Sequence, residues 1–275
     1  MRRDPALVGA HAGLRAIALG VAAACALAPA QAADYLDIPG GAFTSVLPQG
    51  ATPTATAPVA MAPYRLRASP VTRGEFRAFL QSHPDWRRDR VPAVFADASY
   101  LSDWPAPDDD SASPDAANRP VTNVSWFAAQ AFCESEGARL PTWLEWENAA
   151  AADETRRDAR SDPAWRRRIL GWYERPTAAA LPPVGGAANA YGVRDLHGLV
   201  WEWVDDFNAL FIAGDSRTQG DPDLLKFCGS GAISIVDRDS YAVLMRVALL
   251  SSLNASDTTG ALGFRCARRP SGDTP

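Results

Sequence analysis

The chain has little of what metal and nucleophile chemistry usually draws on. Three histidines and four cysteines stand among 275 residues. After residue 32 only His83 and His197 are left, so no three-histidine metal site can form within one chain. Cys25, Cys133, Cys228 and Cys266 lie far apart, which excludes a CxxC redox motif or a zinc ribbon. There is no G-x-S-x-G elbow for a serine nucleophile and no repeat of fixed period. Lys226 is the sole lysine, and arginine carries the rest of the positive charge. With 27 basic against 32 acidic side chains the net charge is −5, which argues against nucleic acid as a partner. What is present, 47% hydrophobic and 21% charged residues, is ordinary for a globular domain and excludes a disordered, collagenous or multi-span membrane chain.

The first 32 residues read as an address. Arg2, Arg3 and Arg15 form a basic front, Ala16–Leu27 is an apolar run too short to span a bilayer, and Ala30-Gln31-Ala32 suits a signal peptidase. The late start of the apolar run, with Asp4 and Pro5 after Arg2-Arg3, favours general secretion over the twin-arginine route, and the alanines before Cys25 make a poor lipoprotein box. Residues 1–32 are therefore expected to be a cleaved signal and 33–275 the mature domain. Cleavage removes three arginines and one aspartate from the 27 and 32, leaving 24 and 31 and a net charge of −7. The expected product is periplasmic or secreted, free of the membrane, in an oxidising space. Three cysteines remain there, so one disulfide with a spare thiol, or an intermolecular link, is expected.

Local signals mark several elements. Ile38-Pro39-Gly40-Gly41-Ala42-Phe43 reads as a strand broken by a turn, residues 49–60 as an exposed loop, and Tyr64–Ala68 as an alternating strand. Thr72-Arg73-Gly74-Glu75 is a capping box for a helix to about Ser82, with Phe76, Phe79 and Leu80 on its apolar face. Ser125 caps a helix ended by Gly137, in which Trp126, Ala129, Phe132 and Cys133 share a face. Thr142–Glu145 is a second capping box, for a helix through Ala152, and Asp162-Pro163 starts another to about Trp172. Beyond Pro182, short elements and ordered loops are expected, around a core rich in tryptophan. The run Asp108-Asp109-Asp110 reads as solvated loop. Each histidine reads as a hydrogen-bonded structural residue.

Residues 189–206 carry the strongest local signal. Asp195 and Glu202 bracket Gly198, where the backbone can turn sharply. Two hard carboxylates with carbonyls between them suit Ca²⁺. A strand turn with solvated acids is the simpler alternative, and composition alone leaves it ahead.

Together these blocks resemble the formylglycine-generating-enzyme, or sulfatase-modifying-factor, family. The matching segments are Ile38–Phe43, Val71–Phe76, Pro120–Trp126, Ala131–Cys133, Gly137–Thr142, Glu145–Glu147, Asn189–Trp203 and Gly263–Cys266, in family order along most of the mature chain. The resemblance implies a mixed α+β fold related to C-type lectins: a single domain with much irregular structure. It implies a calcium site from the Asp195 and Glu202 carboxylates with the Gly198 and Val200 carbonyls, and a disulfide between Cys133 and Cys266. The family's second calcium site falls in a stretch shortened here, between Trp172 and Asn189, and is not carried over.

The resemblance also shows what is missing. The family's oxidases hold Cu(I) on two thiolates five residues apart, a soft-ligand requirement. Counted back from Gly263, those positions fall on Asp237 and Ala242, so a copper cofactor is not expected. Ala261 replaces a nearby asparagine of that site. Cys228 is left as a displaced reactive thiol, a single copper ligand or, more simply, a buried small hydrophobe. Another branch of the family uses iron held by histidines on a separate helical domain, a reading that two histidines and no such domain argue against here. Gly192–Trp203 and Phe227–Ala232 look most like the branch found alongside periplasmic copper nitrite reductases. Three functions follow as expectations: a periplasmic accessory or maturation factor that binds a protein or peptide and is not a formylglycine-generating oxidase; an oxidoreductase using Cys228; or a lectin-like ligand-binding module.

Overall fold

A computed structural model describes residues 33–47, 57–104, 114–174, 181–210 and 241–270. The expected strands and caps form where local chemistry demanded them. β1 (Tyr35–Ile38) pairs antiparallel with β4 (Tyr64–Arg67) in the register Tyr35↔Arg67 to Ile38↔Tyr64. β2 (Gly41–Phe43) pairs with β3 (Val59–Met61), so Val59 and Ala60 belong to a strand rather than to an exposed loop. The signal that hid this strand is its length: three residues are too few to show alternation.

α1 (Arg73–Ser82) has its full capping box, Thr72 Oγ1 accepting the Glu75 N–H while the Glu75 carboxylate accepts the Thr72 N–H. α2 (Pro114–Ala117) is a single turn. α3 (Trp126–Ser135) is capped by Ser125, and Gly137 beyond it has φ +65°, the left-handed conformation glycine tolerates. α4 (Trp143–Ala150) has the second capping box and ends two residues before the expected Ala152. α5 (Pro163–Tyr173) starts from Asp162 as expected. His83 at the end of α1 donates from Nδ1 to the Phe79 carbonyl and stacks on the Phe79 ring.

A longer element also departs from expectation. α6 (Tyr241–Ser251) is a regular helix of 11 residues in the stretch read as short pieces and loops. It is apolar around most of its circumference, so it lacks the 3.6-residue alternation that reveals surface helices.

β5 (Trp201–Glu202) pairs in parallel with β6 (Leu262–Gly263), and β7 (Ala267–Arg268) joins β4 to complete the sheet β1-β4-β7. Gly263 is required at this crossing, because a Cβ there would lie 2.5 Å from the Val121 carbonyl oxygen. The main core gathers Phe76, Phe132, Trp143, Trp146, Trp203 and Phe264. Cys133 on α3 and Cys266 before β7 are disulfide-bonded, with Cα atoms 5.5 Å apart. Among the described residues, no helix is long and apolar enough to cross a membrane.

Candidate functional site

The β5–β6 register sets Glu202 opposite Gly263, two residues before Arg265. Arg265 then closes a two-pronged ion pair: Nε to Glu202 Oε2 and Nη2 to Oε1, each 2.8 Å, with both side chains fully buried. Trp146 of α4 donates its indole N–H to the same Oε2 at 2.9 Å. The guanidinium also reaches the carbonyls of Arg67 and Arg194, tying β4 and the 194 segment to β5. A second buried guanidinium, Arg246 of α6, lies 3.6 Å over the Trp146 ring and donates to the Glu202 carbonyl. Burial pushes Arg246 down to about 10, against the opposing pull of Glu202. One carboxylate thus faces two buried positive charges. Sequence reading missed Arg246; the available signal was a lone arginine in an apolar run, a charge that must find a partner if buried.

This arrangement does not fit calcium. Glu202 Oε2 already accepts from Arg265 and Trp146, and Oε1 from Arg265. The Asp195 carboxylate turns elsewhere, accepting the N–H groups of Gly185 at 2.7 Å and Gly186 at 3.0 Å. Gly198, with φ +84°, carries the Trp172 ring so close that a Cβ would lie 2.6 Å from it. No group of three or more acid, histidine or cysteine side chains converges among the described residues. A divalent cation at Glu202 would sit beside two guanidiniums, a like-charge arrangement in low dielectric. The melting temperature is expected to be the same in EDTA and in calcium; a drop of several degrees in EDTA would show that Asp195 and Glu202 re-aim onto a cation.

Beside this charged centre, α5 and the 186–197 segment enclose a cavity of about 180 Å³. Trp165, Ile169 and Trp172 of α5 form one wall, with Val193 and Leu196 across from them. His197 lines it too, its ring stacked on Trp172 at 5.9 Å and edge-on to Trp165 and Trp146. Its Nε2 lies 2.8 Å from the Ala150 carbonyl oxygen. A carbonyl only accepts, so Nε2 carries the hydrogen and Nδ1 presents a lone pair. Nδ1 is buried and has no hydrogen-bond partner among the described residues. Arg168 and Glu154 at the mouth pair with each other through both carboxylate oxygens, at 2.8 and 3.0 Å.

Two buried groups give the protein opposing pH responses. Burial pushes the Glu147 carboxyl up to about 7, although Ser45 Oγ, the Val46 N–H and, at 3.7 Å, Arg160 oppose the shift. A raised carboxyl stabilises the fold below about pH 4.5, and that stabilisation is lost as pH rises through 7. Burial pushes His197 down to about 4, so its contribution is present above about pH 6.5 and lost as pH falls through 4. The two slopes cancel over much of pH 4.5–6.5. Glu147→Gln removes one of them. Relative to the wild type, the variant should gain on the order of 3 kcal/mol between pH 4.5 and 7.5. Urea melts across that range check it, and parallel curves for the two proteins would refute it.

Comparison with known proteins settles the family. The pattern described as "Sulfatase-modifying factor enzyme 1-like domain" matches residues 22–270. The chain belongs to this family. It is 32% identical to a formylglycine-generating enzyme of Streptomyces coelicolor over 83% of this chain and 85% of that one. It is 30% identical to the hercynine oxygenase of Mycolicibacterium smegmatis over 51% of this chain but only 36% of that protein. It is also 30% identical to "Inactive C-alpha-formylglycine-generating enzyme 2" of Bos taurus, over 56% and 52% of the two chains. The fold is accordingly a single mixed α+β domain of the sulfatase-modifying-factor type.

The residues that the resemblance singles out for copper or thiol chemistry, Asp237, Ala242 and Cys228, can be followed in part. Cys228 and Asp237 lie outside the described residues. Ala242 lies on α6, 6% exposed, and its methyl group packs with Ala159, Trp165 and Ile169. Cys133 and Cys266 are consumed by their mutual bond, so no free thiol stands among the described residues.

Proposed function

We propose that this chain is an exported accessory or maturation factor of the sulfatase-modifying-factor family, acting by holding a protein or peptide partner in the periplasm rather than by copper-dependent oxidation. Ala242 carries the reading. A methyl group packed against Trp165 and Ile169 offers Cu(I) no sulfur, and a linear two-thiolate site needs both ligands. The bovine relative named inactive is consistent with members that keep the scaffold without the oxidase chemistry. The likeness of Gly192–Trp203 and Phe227–Ala232 to the branch accompanying periplasmic copper nitrite reductases supports that enzyme as the partner.

Anaerobic Cu(I) titration of the mature protein and of Cys228→Ser, with an assay for formylglycine in a cysteine-containing peptide, tests the negative half. Neither protein should form a stoichiometric copper complex or yield formylglycine. A complex lost in Cys228→Ser would replace this reading with an oxidoreductase centred on that thiol. Co-expression with copper nitrite reductase tests the positive half: the two should co-purify, and full maturation of the reductase without this chain would remove the link.

A further inference from the structure

We propose that the Glu147 carboxyl is a pH-operated latch: protonated, it holds residues 44–47 down on α4, and ionised, it lets that strap lift. The inference is independent of the partner-binding reading above. The strap follows β2 and alternates in burial. Ser45 and Leu47 are buried, while Thr44 and Val46 are half-buried. Side chains from elsewhere in the chain anchor its polar groups. Glu147 Oε2 meets Ser45 Oγ, and Oε1 accepts the Val46 N–H at 2.8 Å. Arg160 donates to the Thr44 carbonyl at 2.6 Å. Ser45 Oγ also accepts the Leu47 N–H at 3.1 Å, so the residue that Glu147 grips organises the end of the strap. One carboxyl from α4 thus holds two consecutive residues.

That grip depends on charge. Glu147 is 1% exposed, so ionisation in place leaves a charge out of water. Arg160 is the cation that faces it, at 3.7 Å, and is already engaged by Asp158 at 2.7 Å and by the Thr44 carbonyl. Ser45, Val46 and, on α4 itself, Trp143 also favour the ionised form. Burial outweighs all four and pushes the carboxyl up to about 7. The protonated acid keeps both contacts without the charge, Oε1 accepting from Val46 and Oε2–H donating to Ser45 Oγ. Lifting the strap hydrates the carboxylate and returns it to its ordinary value near 4.5. The closed strap is therefore favoured below about pH 4.5, and that advantage is lost as pH rises through 7.

Amide hydrogen exchange of the whole protein at about pH 5 and about pH 7, each rate divided by the intrinsic rate at that pH, tests this. Protection of the Val46 amide should fall on the order of thirtyfold between the two. Amides of β4 exchange when the whole fold opens, where the opposing response of His197 offsets that of Glu147, so their protection should change only about twofold. The strap lifts with His197 still packed among Trp146, Trp165 and Trp172, so no such offset reaches Val46. Glu147→Gln keeps the shape and cannot ionise, and its Val46 protection should be equal at both pH values. The comparison of Val46 with β4 in the wild type stands even where the variant fails to fold. Constant Val46 protection in the wild type, a fall matched by the β4 amides, or an equal fall in folded Glu147→Gln would each overturn the inference.

Discussion

Glu202→Gln is expected to destabilise the protein by about 3–5 kcal/mol, because it strips the carboxylate from the buried Arg265 guanidinium. Arg265 and Glu202 are both at 0% side-chain exposure, so water cannot re-solvate the arginine left behind. Arg246 keeps its contacts with the Glu202 backbone carbonyl and Trp146 in the variant and loses only the longer-range attraction of the carboxylate. The amide keeps the shape of the acid, so the loss measures charge rather than packing. Glu154→Gln is the control. Its ion pair with Arg168 is 48% and 44% exposed, and its loss should cost under about 1 kcal/mol. Denaturant melts of the two variants compare them directly. Equal losses would mean that the buried pair is worth no more than the surface one.

Removing the Cys133–Cys266 bond should cost a similar amount by a different route. The bond spans 133 residues of sequence, and in the chain-entropy model a loop of that length restrains the unfolded chain by about 5 kcal/mol. For a domain of this size the loss corresponds to a fall in Tm of about 10–15 °C. The Cys133→Ala/Cys266→Ala double variant shows it, as does the wild type unfolded in reductant. Both sulfurs sit in the core with Phe132 and Phe264 between the same elements, so the alanines also leave a small void. A fall of only a degree or two would mean that the unfolded chain is already held compact by other contacts.

What could be read in the sequence was local. A capping box needs four consecutive residues, and Thr72–Glu75 and Thr142–Glu145 both start helices where expected. A helical stripe shows itself when one face is wet, which is why α1 and α3 were legible and α6 was not. The spacing of Asp195 and Glu202 around a glycine is equally that of a turn with solvated acids, and only the family resemblance implies a cation site there. Their roles depend on donors distant in the chain. Arg265 is separated from Glu202 by 63 positions, and the Gly185 and Gly186 amides approach Asp195 from another loop.

By itself the sequence determined the family frame, the helix starts, the poverty in histidine and the alanine at position 242, because these rest on residue identity and short-range hydrogen bonding. Only the tertiary structure decided what Glu202 binds, where Arg246 rests, and that His197 packs among Trp146, Trp165 and Trp172. Those outcomes depend on which charges and rings meet after long segments close on one another, and no spacing along the chain encodes that meeting.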